Sequence, residues 1–286
     1  MIMKKIFLFL FSLFITTMAF AYDAEIDGIY YYFDDENKTA IVTYGGSSNK
    51  YSGNIIIPEK VSYNGVEYSV TSIGRSAFYN CTGLTSVTIG SSVTSIGDYA
   101  FEGCTGLTSI EIPNSVTEIG YFAFRGCDGL ISVIIGNGVT KIGDSAFDDT
   151  PWFKNQPDGC IYMGKCLYSY KGSMPENTHI DVREGTTSIG SSAFSSCSGL
   201  TSIEIPNSVI SIGREAFYRC SGLTSITIPD SVTSIGSGTF NDCSGLTSIT
   251  IPDSVTSIGS SAFSGCSGLT SAIIGNAVTT IEYYAF

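Results

Sequence analysis

The sequence predicts a repeat solenoid, mainly β, in which right-handed coils of one fixed length stack so that each adds a strand to a parallel sheet. Phenylalanine sets the period, falling at 78, 101, 124 and 147 and then at 194, 217, 240, 263 and 286. Every step is 23 except that from Phe147 to Phe194, which is 47, or two turns plus one residue, with Tyr170 near the missing aromatic. Locked to this ruler is the run L-x-x-[IV]-x-I, opening at Leu84, Leu107, Leu130, Leu200, Leu223, Leu246 and Leu269. A second pair, V-x-x-I-G, leads into each A-F, as at Val116/Ile119 and Val232/Ile235. These runs are too short for helices and hold no sustained 3.6-residue period, so they read as strands. One unit has too many inward apolar positions to fold alone, and neighbours must cover one another's open faces.

In chain order, residues 1–21 read as a secretory signal peptide. Lys4 and Lys5 precede the apolar core Ile6 to Met18, and Ala19-Phe20-Ala21 is a small-x-small cleavage site. That core is too short to span a membrane, and no later stretch approaches the length, so the sequence predicts an exported chain with no transmembrane span after cleavage. Residues 22–51 read as an N-terminal β cap: "DGIYYYF" and "TAIVTYG" flank the polar "DDENK" as a hairpin would. Regular repeats occupy 52–150, beginning with a coil opened by a second hairpin, in which Asn64-Gly65 favours a type I′ turn. Residues 151–185 form an irregular elaborated unit, and repeats resume over 186–286. The last repeat stops in mid-unit at Phe286, with Glu282 in place of the corner glycine. This suits either a fragment of a longer product or a coil covered by another chain.

The unit C-x-G-L-T-S-I-x-I-P-x-S-V-T-S-I-G-x-x-A-F resembles the leucine-rich repeats of BspA-like bacterial surface proteins over about residues 52–286. The resemblance implies a curved solenoid at or outside the cell surface, with adhesion or ligand binding as its role.

The chemistry-bearing residues are few. Seven of the nine cysteines (81, 104, 127, 197, 220, 243 and 266) occupy one column before the Leu strand. A straight column converges on no tetrahedral metal site, and its parallel Cβ vectors disfavour disulfides, so these read as small buried hydrophobes. Cys160 and Cys166 sit in "CIYMGKCLYSY", a hairpin turning near Gly164, where either a disulfide or two free thiols is open. The only histidine, His179, has no neighbouring nucleophile in the sequence and reads as a solvent-facing or packing residue. Asp34, Asp35 and Glu36 lack the spacing of a calcium loop and read as a solvated hairpin tip. No phosphate loop or zinc-protease motif is present. The expectation is a chain with no metal, no cofactor and no enzymatic activity. A net charge of −12 repels phosphate backbones and excludes nucleic acid as a partner.

What remains is the solvent side of the Leu strands. The third position is Ser in these units, whereas the fifth varies as Thr88, Glu111, Ile134, Glu204, Thr227, Thr250 and Ile273. Uniform columns serve structure and varied ones can serve recognition, so this stripe is the candidate binding surface; simple tolerance at an exposed site is the alternative. Trp152, Tyr162 and Lys165 of the elaborated unit join it as candidates, set against an irregular coil whose aromatics fill its own core. The predicted partner is a protein or other extracellular macromolecule. Self-association, with solenoids stacking end to end through an uncapped C-terminal coil, is the competing role.

Overall fold

A computed structural model describes residues 22–46 and 51–286; the predicted signal peptide lies outside the described residues. The chain is a β-solenoid of about nine turns with a spacing of about 23 residues and almost no helix.

Two parallel ladders run along it. One is built from the V-x-x-I-G pairs, strands of only two residues each: Glu118–Ile119 sits between Ser95–Ile96 and Lys141–Ile142, in register. The other consists of separate pairs of Leu strands, among them Ser109–Ile112 with Ser132–Ile135 and Ser248–Ile251 with Ser271–Ile274, and the segment from Leu223 to Ile228 follows the same path without strand pairing. Alternation sends Ile249 and Ile251 inward and Ser248 and Thr250 outward.

The third side carries the aromatic column. Phe78, Phe101, Phe124 and Phe147 stack with ring centroids 4.8–5.0 Å apart, and Phe194, Phe217, Phe240, Phe263 and Phe286 at 5.1–5.4 Å. These distances are close to the strand spacing of a sheet, so the hydrogen-bonded rise of the backbone is what brings the rings into contact. The backbone follows the same rule, with Phe78 N–H donating to Ala100 C=O and Phe124 N–H to Ala146 C=O, each in the next coil.

The hydroxyl columns are structural. Thr94, Thr117 and Thr140 each donate Oγ1–H to the equivalent carbonyl one coil earlier, as do Thr224, Thr247 and Thr270 on the Leu strands. The thiol column does the same work inside. Cys104, Cys127, Cys220, Cys243 and Cys266 donate S–H to the Phe carbonyl 26 residues earlier, at 3.0–3.1 Å. That carbonyl also accepts the N–H of its own coil's cysteine, so the thiol uses its second lone pair. Thr150 stands where the column skips a cysteine, donates to Phe147 C=O, and caps the short helix Pro151–Lys154.

The corner glycines owe their place to crowding. A Cβ on Gly120 would lie 2.5 Å from Asp98 N, and its φ is not positive. Positive φ falls instead on ordinary residues before each A-F, among them Ser76, Tyr99, Phe122 and Ser261. Such residues tolerate it because backbone hydrogen bonds on both sides hold the turn.

At the N-terminus, Ala24–Ile26, Ile29–Asp34 and Thr39–Thr43 form an antiparallel meander, whose last strand pairs parallel with Val66–Ile73. Asn64 and Gly65 both have positive φ, as a type I′ turn requires. Tyr51 joins this cap to the solenoid: its ring lies 4.5 Å from Phe78, while its hydroxyl accepts from Tyr30 N–H and donates to Thr43 C=O.

The long interval between Phe147 and Phe194 makes two turns. In the first, the hairpin Gly159–Met163/Cys166–Lys171 inserts Cys166 and Leu167 beside Ser188 and Ile189 in the short-pair ladder. In the second, Thr178–Asp181 supplies a Leu-strand rung beside Leu200–Glu204. The strand Cys166–Lys171 is a wall between two cores, with Cys166 and Tyr168 packing toward the first and Leu167 toward the second. Tyr168 hydroxyl accepts the Phe147 N–H at 3.1 Å, which elsewhere goes to a backbone carbonyl of the next coil, as Phe124 N–H does to Ala146. In the last coil Ile274, Ile281 and Phe286 are exposed, whereas the equivalent Ile251, Ile258 and Phe263 are covered by a succeeding coil.

Phe217 is fully buried between two stacked rings. Phe217→Ala is expected to lower stability by about 3–5 kcal/mol, read as a drop in the denaturant midpoint. A loss below about 1 kcal/mol would show that the column is not held by ring packing.

Candidate functional site

The Leu-strand ladder gives the candidate stripe its geometry. Thr88, Glu111, Ile134, Glu204, Thr227, Thr250 and Ile273 are all exposed. Glu111 pairs directly with Ile134, and Thr250 with Ile273, so these side chains stand side by side on neighbouring rungs. Two further residues join the column: Ile56, in register with Thr88, and Asp181, in register with Glu204. Ile56, Ile134 and Ile273 are 70%, 59% and 62% exposed and supply the apolar members of the column. Ile131 adds another exposed side chain just ahead of the strand that carries Ile134.

The elaborated unit interrupts this face. Trp152 is half-buried, packs 5.4 Å from Phe147, and donates its backbone N–H to Leu130 C=O. Tyr162 is half-buried beneath the Arg183 guanidinium at 4.2 Å, and its hydroxyl accepts Arg183 N–H. Lys165 is exposed, but it continues the short-pair ladder through its N–H to Val139 C=O and its C=O to Thr187 N–H. None of these three therefore stands in the stripe, and the unit's contribution to that face is Asp181 and His179.

Cys160 and Cys166 are both free thiols, and the hairpin sets them apart. A register shift between Ile161 and Tyr162 places Cys160 opposite Tyr170 and Cys166 opposite Met163. Cys160 packs toward the second core and Cys166 toward the first, so the two side chains face different layers. Burial raises the thiol pKa values from their usual 9.0, to about 12 at Cys243 and about 11 at Cys166, Cys197 and Cys266.

His179 occupies the serine column. Its Nδ1 lies 2.6 Å from Ser202 Oγ and its Nε2 lies 2.9 Å from Asp181 Oδ1. A serine, a histidine and an aspartate thus form a chain on the outer face, with the histidine and aspartate exposed to water. Glu204 lies beside the same ring, and ligand atoms of His179, Asp181 and Glu204 fall within 4.8 Å of one another. This grouping was hidden by the elaborated unit, but counting one repeat back from Ser202 and Glu204 arrives at His179 and Asp181.

On the corner side, a recess of about 350 Å³ is lined by Arg75, Tyr99, Tyr121, Asp144 and Arg214 among others. Tyr99 stacks on Phe122 and beneath Arg75, and burial raises the pKa of Asp144.

Short parallel rungs, an inward Leu/Ile lattice and one coil per repeat unit define a leucine-rich-repeat solenoid. Within that class the chain belongs to the BspA type leucine-rich repeat family, which matches residues 53–157 and 164–286 in six copies. It is similar to a leucine-rich cell surface protein from Faecalibacterium prausnitzii A2-165 (24% identity, 88% of this chain and 94% of that one, TM-score 0.35). It is also similar to the pneumococcal vaccine antigen PcpA (18% identity, 92% and 85%, TM-score 0.42). A leucine-rich repeat protein from Bacteroides ovatus ATCC 8483 is 23% identical over 91% and 99% of the two chains, with a TM-score of 0.34. No curated protein matches the chain.

The raised thiol pKa values have a definite sign. Folded thiols stay protonated above pH 9, where thiols of the unfolded chain ionise, so their stabilising contribution is full below about pH 9 and is lost as pH rises through about 11–12. Urea midpoints are expected to hold up to about pH 8 and fall toward pH 10 and above. Iodoacetamide on the native chain at about pH 8 should modify half-buried Cys160 ahead of Cys104 or Cys243. Equal rates at the three would contradict the buried column.

Proposed function

We propose that this chain is exported and acts at or beyond the cell surface as a non-enzymatic, adhesin-like scaffold that binds another macromolecule through its Leu-strand face. Membership of the BspA type family supports a surface binding role. The basic and apolar leader of residues 1–21 supports export. Among the described residues no helix is long and apolar enough to cross a membrane.

The single observation that carries the reading is the exposed column of Ile56, Thr88, Glu111, Ile134, Asp181, Glu204, Thr227, Thr250 and Ile273. Its side chains point to solvent and owe nothing to the core. Exposed isoleucines supply desolvation energy on binding, and the carboxylates beside them select the partner's charge. With an overall charge of −12, the face suits a protein surface that offers basic groups around an apolar centre.

The test uses the full chain against a panel of immobilised extracellular-matrix proteins and intact bacterial cells. Glu111→Lys combined with Thr250→Lys is expected to weaken binding of a captured partner at least tenfold while leaving the melting temperature unchanged. Binding that survives both substitutions would remove the strand face from the function.

A further inference from the structure

We propose that His179, Asp181 and Glu204 form a binding site for a divalent transition metal ion, zinc being the ion that best fits their donor set. The inference is independent of which macromolecule, if any, the strand face binds.

The donor set decides the class of ion. One imidazole nitrogen with two carboxylates suits zinc and its neighbours, whereas calcium and magnesium favour all-oxygen sets. All three ligand atoms already lie within 4.8 Å of one another without any being buried, so closing them on an ion asks only for side-chain rotation. His179 Nε2 and Asp181 Oδ1 are 2.9 Å apart. Two donors at about 2.1 Å from one tetrahedral ion are separated by about 3.4 Å. The hydrogen-bonded pair therefore needs to open by only about half an ångström to take one ion.

The other ring nitrogen supplies a second, separate observation. Ser202 Oγ sits 2.6 Å from Nδ1; without an ion the ring proton sits on Nε2 and bonds Asp181, and an ion that takes the Nε2 position shifts that proton to Nδ1, where Ser202 Oγ accepts it. This is the outer hydrogen bond that fixes the tautomer of a metal-bound histidine. Ser202 is an ordinary member of the serine column, while His179 replaces the serine of the preceding rung. A single substitution in the repeat thus places a ligand and its orienting partner together.

Charge makes a third argument. Asp181 and Glu204 are directly paired across neighbouring strands, an arrangement that is destabilising for like charges. Among the described residues neither carboxylate has a lysine or arginine ion-pair partner; Asp181 pairs only with His179. A divalent ion cancels the two negative charges and leaves a neutral site. Its remaining coordination positions point to solvent along the binding face, where water or a partner's carboxylate would complete them.

Isothermal titration of the chelator-treated full chain with zinc chloride at neutral pH tests the proposal. One saturable ion per chain is expected, with magnesium giving no signal. His179→Ala and Glu204→Gln should each weaken zinc binding at least tenfold, and Ser202→Ala about tenfold through loss of the orienting bond. All three side chains lie on the outer face, so the variants retain the wild-type melting temperature. Cobalt provides a readout that needs no variant: nitrogen and oxygen ligation gives weak visible bands without the intense near-ultraviolet charge transfer of a thiolate. Absence of saturable zinc binding, zinc binding indifferent to His179→Ala, or a cobalt–thiolate band would each overturn the site.

Discussion

The hydrogen bond from each coil to its equivalent position one coil earlier is the constraint on which the molecule depends. Thr94, Thr117 and Thr140 show it in simplest form, each N–H donating to a threonine carbonyl one coil back. Because the rise per coil is set by this bond, every position in the unit stands above its own equivalent, and side chains of one type meet their like. Phenylalanine rings then fall at stacking distance, thiols reach the carbonyl of the coil below, and threonine hydroxyls share the carbonyl their own backbone uses. A column works only if the residue suits itself as a neighbour. Aromatic rings, small hydroxyls and thiols do; a column of carboxylates does not.

That rule explains how the long interval between Phe147 and Phe194 is tolerated. An insertion of arbitrary length would break the ladder, but two turns plus one residue lets the short-pair ladder resume through Cys166 and Leu167 and the Leu-strand ladder through Thr178–Asp181. The extra residue is absorbed as register shifts in the hairpin and at Thr178/His179. The consequence is a divided core, with Cys166–Lys171 facing both ways and Tyr168 replacing a backbone acceptor with its hydroxyl. Trp152 belongs to the same repair, since its ring and backbone cover Phe147 and Leu130 where a regular strand is missing. The only tryptophan of the sequence thus packs at the break.

The repeat and its strands were legible because a periodic chain repeats its own answer: Leu, Ile, Phe and Cys recur at positions whose burial follows from strand alternation. The exposed fifth position was legible for the same reason. The interactions between columns were less visible. Nothing in the composition says that a buried cysteine will donate to a carbonyl 26 residues away, or that Ser76 and Tyr99 will take positive φ while the conspicuous corner glycines do not. Those features depend on the approach of two coils, which the spacing of one coil does not encode. His179 was a different kind of omission. It lay at the right interval from Ser202, but the irregular unit around it concealed that it belonged to a rung.

Selection of function within such a lattice follows from what the ladders leave unused. Inward positions are committed to self-complementary columns, and threonines beside the strands spend their hydroxyls on the preceding coil. Only the outward third and fifth positions are released from both duties, so departures from the repeat there cost the fold little. His179 in a serine column and Asp181 beside Glu204 are such departures, and they coincide on adjacent rungs. Two independent drifts on a tolerant surface would place a histidine beside opposed carboxylates without regard to orientation. The Ser202 contact to Nδ1 aims the ring as well as placing it, which a ligand demands and tolerance does not.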